Sequence, residues 1–146
     1  MLKQQIEQDL KTALLARDKE RAEVLRGLKS AILYEEVAKN ARETGLPEES
    51  VLGVMSREAK KREESAKMYE QAGESERAKT ERAEKAIIEV YLPSQLSDEE
   101  LAGVIDGVLA SMGEGAQMGQ IIGAVKQKVG AQADGSRIAA AVKAKL

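Results

Sequence analysis

The chain has 146 residues, 42% of them apolar and only 2% aromatic, with 23 basic and 25 acidic side chains and a formal net charge of −2. Without Phe or Trp, a core has to be packed from Leu, Ile, Val, Met and Ala, the side chains of helix bundles rather than of β-sandwiches. The absence of Cys and His removes thiol nucleophiles, disulfides, imidazole acid-base chemistry and the usual zinc ligands, and the nearly cancelling charges leave no whole-protein field to draw the chain to nucleic acid or to an anionic membrane.

The apolar stretches are only a few residues long, far short of the ~20 needed to cross a bilayer, and the charged start Met1-Leu-Lys-Gln-Gln has no signal-peptide core. A cytoplasmic, membrane-free protein is expected. Charge texture changes along the chain: the first 96 residues carry 37 charged side chains, whereas the last 50 carry 11 and hold 8 of the 12 glycines. That shift predicts two domains, residues 1–92 and 97–146, joined by a linker at 93–96.

In the first part, Leu2, Ile6, Leu10, Ala13 and Leu14 recur at spacings of three and four, one face of a helix. A second helix runs through Val24, Leu25, Leu28, Ile32 and Val37 until Thr44-Gly45. Pro47 suits the opening of a third, in which Leu52, Met55, Ala59, Arg62, Ala66 and Tyr69 form a long seam ending at Gly73. Residues 74–85 are polar on all sides and predict a solvated, partly helical connector or a helix lying loosely on the third. It leads into a fourth apolar pattern of Ala83, Ala86, Ile87, Val90 and Tyr91, bounded by Pro93.

Ser97-Asp-Glu-Glu100 is a capping box, in which Ser97 and Glu100 satisfy each other's free backbone amides, and it starts a fifth helix with Leu101, Val104, Ile105, Val108, Leu109 and Met112 on its apolar face. Gly113-Glu-Gly115 ends it. The sixth carries Met118, Ile121, Ile122, Val125 and Val129 and closes at Gly130, and Asp134 caps a last helix with Ile138, Val142 and Leu146. The predicted fold class is therefore all-α: an N-terminal helical domain, a partly helical linker and a C-terminal three-helix domain.

Few features invite chemistry. Gly115, Gly119 and Gly123 recur every four residues, which predicts tight helix packing inside the terminal module, and no Gly-rich phosphate loop with a G-K-[ST] ending is present. The basic stretch Arg57-Glu-Ala-Lys60-Lys61-Arg62 is interleaved with Glu58, Glu63 and Glu64 at ion-pair spacing, as expected of a solvated face. Arg62 stands apart in the apolar seam between Ala59 and Ala66, where it should pair with an acid on a facing helix. The carboxylate pairs Glu35-Glu36, Glu63-Glu64 and Asp98-Glu99-Glu100 lie on charged stretches expected to be exposed, where nothing would tune a pKa. No catalytic constellation, metal site or cofactor site is predicted. Tyr34, Tyr69 and Tyr91 border apolar stripes and suggest packing rather than base stacking.

Glu89-Val-Tyr91-Leu-Pro-Ser-Gln-Leu-Ser97-Asp-Glu-Glu100-Leu, followed by Met118-Gly119-Gln-Ile-Ile-Gly123 and Gly130-Ala-Gln-Ala-Asp134-Gly135, resembles the YqeY proteins. The segments Arg21-Ala-Glu-Val-Leu-Arg26 and Glu58-Ala-Lys-Lys61-Arg62-Glu63-Glu-Ser65 are similar too, so the likeness covers the chain in order. The terminal module also resembles the tail domain of the B subunit of the tRNA-dependent amidotransferase. In that enzyme the tail helps to hold tRNA and the chemistry resides elsewhere. The resemblance implies a two-part helical protein without the catalytic cradle, with tRNA or amidotransferase subunits as partners.

Two functions of different class follow as expectations: a non-catalytic tRNA-binding or amidotransferase-associated accessory protein, and a helical protein-protein adaptor that touches no nucleic acid. Residues 116–146 hold five cations, Lys126, Lys128, Arg137, Lys143 and Lys145, against the single acid Asp134. These five are the RNA-contact candidates. Arg62, Ser97, Glu100, Gly119, Gly123 and Asp134 are the predicted structural positions.

Overall fold

A computed structural model describes all residues, 1–146, as seven α-helices and a short 3-10 turn without any strand. The fold class is all-α, as the patterning predicts. The helices are α1 (Leu2–Leu15), α2 (Lys19–Ala38), α3 (Glu48–Gln71), α4 (Ser75–Glu89), α5 (Asp98–Met112), α6 (Met118–Val129) and α7 (Gly135–Lys145), with the 3-10 turn at Gly130–Gln132. They form two compact units, Met1–Leu92 and Pro93–Leu146.

In the first unit, Ile6, Leu10 and Ala13 of α1 meet Ala22, Leu25, Leu28 and Ile32 of α2, with Val51, Val54, Met55 and Ala59 of α3 completing the aliphatic core. Each fully buried Leu or Ile contributes about 1.5–3 kcal/mol. Two residues of the predicted stripes leave it: Leu14 is 47% and Val37 59% exposed, because both lie in the last turn of their helices, where the chain turns away. Both turns are built alike. Asp18 N–H donates to the Ala13 carbonyl at 2.9 Å across Arg17 (φ 59), and Ala41 N–H to the Glu36 carbonyl at 2.7 Å across Asn40 (φ 54). The α3–α4 turn repeats this with Glu74 N–H on the Tyr69 carbonyl at 2.8 Å across Gly73 (φ 78). These are left-handed C-caps, a geometry in which glycine carries no Cβ penalty.

Of the two expectations for residues 74–85, a partly helical connector or a helix lying loosely on the third, the structure shows a helix: the segment is part of a continuous α4 that packs along α3, and more closely than expected. Its buried apolar residues are only Ala78 and Ile88, and Ala83, Ala86 and Val90 of the predicted stripe are exposed. Charge supplies the face that apolar periodicity lacks. Arg82 reaches Glu70 at 2.5 Å and Glu63 at 3.5 Å, Lys85 reaches Glu63 at 3.4 Å, and Arg62 lies 3.1 Å from Glu58 and 3.4 Å from Glu84. Arg62 thus finds the facing-helix acid that its seam position requires, although its buried Nε sits at ion-pair distance from Glu84 without making a hydrogen bond. A second correction concerns Glu36. Expected on an exposed stretch, it is 1% exposed under α1, where Lys3 Nζ donates to its two carboxylate oxygens at 3.2 and 3.1 Å. The pair joins α1 to α2, and the Tyr91 hydroxyl, donating to the Asp9 carboxylate, ties the end of the unit back to α1.

In the second unit, Leu101, Ile105 and Val108 of α5 pack with Ile121, Val125 and Val129 of α6 and Ile138 and Val142 of α7 around buried Ala133. Met112, Met118 and Leu146, named on the apolar stripes, are exposed at the helix ends. The capping box forms as its spacing predicts: Glu100 N–H donates to Ser97 Oγ at 3.1 Å and Ser97 N–H to Glu100 Oε1 at 3.2 Å. Gly113 (φ 75) and Gly130 (φ 55) end α5 and α6 in conformations that L side chains rarely adopt.

Two outcomes are expected. The unit 93–146 has its own core and caps, so a fragment beginning at Pro93 should give a helical circular-dichroism spectrum with cooperative melting; an unfolded fragment beside a folded full chain would contradict its independence. The α3–α4 charges should make stability pH-dependent. The Arg82 hydrogen bond holds the Glu70 carboxyl below its ordinary value of 4.5. At Glu63, burial pushes upward but is outweighed by Arg82 and Lys85, so this carboxyl is also lowered from 4.5. Glu84 moves upward through burial and the Glu81 charge, against the pull of Arg62. Carboxyls held low stabilise the fold above their ordinary value, and that contribution disappears as pH falls through the lowered folded-state value; Glu84 acts in the opposite sense. Arg82→Gln should therefore lower Tm at neutral pH, with the gap from the parent closing as pH falls below about 4 in thermal melts.

Candidate nucleic-acid interface

The five candidate cations of the second unit lie on α6 and α7, and the structure separates them by what they touch. The chain entering α5 is fastened to the α6–α7 connection: Leu96 N–H donates to the Gln132 carbonyl and Gln95 Nε2 to the Ala131 carbonyl, each at 2.9 Å. Arg137, from the first turn of α7, closes the same contact, its Nη2 donating to the Leu96 carbonyl and to Asp98 Oδ1, both at 2.9 Å. Lys145 lies 2.8 Å from Asp106 of α5 at the other end of α7. These two cations stitch α7 to α5.

The remaining three have different surroundings. Lys128 and Lys143 are exposed and form no ion pair within the unit. They occupy the last turns of α6 and α7, where the partial negative charge of the helix terminus favours a cation. Lys126, in the same turn of α6 as Lys128, lays its side chain over the backbone of Gly135: a Cβ at that position would fall 3.2 Å from Lys126 Nζ and 3.3 Å from Cε. Of the glycines of this unit it is the one that a side chain approaches this closely, and its place in sequence gives no sign of it, because the lysine arrives from another helix.

The predicted glycine stripe does not pack. Gly115 (φ 87) belongs to the turn before α6, and a Cβ at Gly119 or Gly123 would meet nothing within 4 Å. Ile121, Val125 and Val129 turn to the core, so the helical wheel sends Gly119 and Gly123 outward. Asp134 does cap α7. Its Oδ1 accepts from Arg137 N–H at 2.9 Å and from Ser136 Oγ at 2.6 Å, so this carboxylate occupies the helix start that a phosphate would otherwise seek.

The basic stretch of α3 is committed to protein. Arg57 pairs with Glu35 at 3.3 Å and Lys61 with Glu58 at 3.6 Å, in the manner expected of an ion-paired helix face. Tyr34 is 77% exposed rather than packed, Tyr69 lies under the Arg77 guanidinium at 5.8 Å, and Tyr91 is engaged with Asp9. The second unit holds no aromatic residue. Its surface can attract phosphates through charge and has no ring on which to stack a base. No group of three or more His, Cys, Asp or Glu side chains is placed to hold a metal ion, and no helix is long and apolar enough to cross a membrane.

Removing the α7 cap separates structure from recognition. Asp134→Ala should cost about 1 kcal/mol of stability by denaturant titration and leave any affinity for tRNA unimproved, as expected where the start of α7 is a capped helix end rather than a phosphate contact.

No curated protein is significantly similar to the chain. The family described as YqeY, Yqey-like protein, matches residues 3–146 and so takes in every helix of both units. On a match of that extent, the chain belongs to the YqeY family.

Proposed function

We propose that the protein is a non-catalytic accessory factor that binds tRNA, or the tRNA-dependent amidotransferase that handles it, through the second unit. The observation that carries this reading is the charge of residues 116–146, five cations and one acid within a protein that is otherwise slightly acidic. The likeness of this unit to the amidotransferase tail supports the choice of tRNA as the polyanion. Lys128 and Lys143 are the readiest phosphate contacts because no protein acid competes for them, with Lys126 beside them on α6. Arg137 and Lys145 have Asp98 and Asp106 to satisfy first. Contacts of this kind read the shape and charge of the RNA backbone rather than its bases.

Titration of full-length protein against folded tRNA at a series of salt concentrations tests the proposal. Three phosphate contacts give a slope of log K against log[salt] of roughly −2 to −3, with weak binding at physiological salt. Lys126→Glu, Lys128→Glu and Lys143→Glu together should flatten the slope, whereas Lys60→Glu with Lys61→Glu on α3 should leave it nearly unchanged. Arg137→Glu should reduce thermal stability as well, because it breaks the clamp on Leu96 and Asp98. Absence of salt-sensitive binding at low salt would favour the protein-adaptor reading instead. That alternative draws on a different observation, the exposure of Leu33, Tyr34 and Val37 along α2.

A further inference from the structure

The α1–α2 turn of the first unit borders an open cavity of about 380 Å³, and another lies along the same two helices. The first cavity's one exposed apolar side chain is Leu14, with Ala13 and Ala22 almost fully buried behind it, and three cations line it, Arg17, Lys19 and Arg26. A cavity of this volume falls within the range that holds small ligands. The second cavity, about 260 Å³, offers an internal comparison: its cations Lys3 and Lys29 are each ion-paired, to Glu36 at 3.1 Å and to Glu7 at 3.9 Å. Arg17, Lys19 and Arg26 have no such partner, although most cations of this unit do. Two acids also line the cavity. Asp18 is already engaged, accepting from Arg21 N–H at 3.2 Å and lying 3.5 Å from Arg21 Nε, which leaves Glu23 alone against three cations.

Arg17 adds an independent observation. It holds the left-handed position of the α1 C-cap at φ 59, where the equivalent residue of the α3 cap is Gly73 at φ 78. For an arginine this conformation is unfavourable, and its guanidinium forms no hydrogen bond or ion pair that would compensate. A glycine would serve the turn better. Of the backbone amides of the turn, Arg17 N–H donates to the Leu14 carbonyl at 3.2 Å, Asp18 N–H to the Ala13 carbonyl at 2.9 Å and Arg21 N–H to Asp18 Oδ1 at 3.2 Å, which leaves those of Lys19 and Glu20 at the start of α2 beside the cations.

We infer that this cavity is a binding site for a small phosphate monoester, its phosphate gripped by Arg17, Lys19 and Arg26 and its apolar body lying against Leu14. The inference concerns the first unit and stands or falls independently of tRNA binding by the second. Two guanidinium groups and an ammonium suit a dianionic, multiply accepting group better than a carboxylate, because planar N–H forks match phosphate oxygens in pairs.

Phenyl phosphate is a suitable probe, titrated into isotopically labelled full-length protein at low salt and followed by backbone amide shifts. Shifts should centre on residues 13–26, with phenyl phosphate binding severalfold tighter than inorganic phosphate and phenol giving no response. Arg17→Gly should raise Tm by a few degrees, by relieving the left-handed arginine, and weaken phenyl phosphate about tenfold. Arg26→Gln, within α2 and free of backbone strain, should weaken binding similarly at unchanged Tm. The inference is overturned if millimolar phenyl phosphate leaves residues 13–26 unmoved, or if both variants bind like the parent. It is also overturned if inorganic phosphate binds as tightly, since the apolar wall would then contribute nothing.

Discussion

Arg62 is the constraint around which the first unit is arranged. It stands where an apolar seam would place an aliphatic residue, and a cation there has to be met by acids or it could not be buried. Glu58 meets it from its own helix and Glu84 from α4, while its Nη2 would lie 3.9 Å from a Cβ at Gly27 of α2. One side chain thereby relates three helices. Aliphatic contacts tolerate sliding of one helix along another; a guanidinium between two carboxylates does not, so Arg62 fixes the register of the α3–α4 hairpin. The pairs of Arg82 and Lys85 with Glu63 and Glu70 then extend that register toward Gly73.

A composition almost without aromatics explains why charge takes this part. Phe and Trp each bury a large area and anchor a helix in one contact; Ala78 and Ile88 alone on α4 bury little. Exposed ion pairs are individually weak, but several along one interface act together. The opposing shifts of Glu63 and Glu84 mark the limit of the arrangement: burial pushes both upward, but Glu63 is met by two cations, whereas Glu84 also faces the charge of Glu81 and shares Arg62 with Glu58. The hairpin therefore gathers more carboxylates around Arg62 than one guanidinium satisfies.

What the sequence made legible was local. The Ser97–Glu100 box, the Asp134 cap and the glycine stops at Gly113 and Gly130 are encoded within four residues, and all form. The aliphatic stripes of α1, α2 and α5–α7 were equally readable, apart from residues in their end turns. What stayed hidden depends on partners distant in sequence. Glu36 is buried because Lys3 arrives from 33 positions away, Arg137 is occupied because Leu96 and Asp98 arrive from 41 and 39, and the inner side of α4 carries Arg82 and Lys85, which no hydrophobic period reveals. The glycine stripe failed for a related reason: spacing by four shows that residues share a side of a helix, and only the neighbouring stripe shows which side faces the core.

The same distinction governs how function can be read from a chain whose charges nearly cancel. Net charge and local charge runs both mislead here, since the most basic run, at 57–62, lies on a helix whose cations are paired with Glu35, Glu58 and Glu84. A cation committed to a protein carboxylate must give up that pair before it can hold a ligand, so its charge counts for less toward recognition than its position suggests. The cations that remain available are scattered in sequence. Lys128 and Lys143 lie at the ends of two short helices, and Arg17, Lys19 and Arg26 line one cavity. Among them Arg17 combines an exposed guanidinium outside the ion pairs of the unit with a left-handed backbone position, φ 59, that Gly73 occupies in the α3 cap.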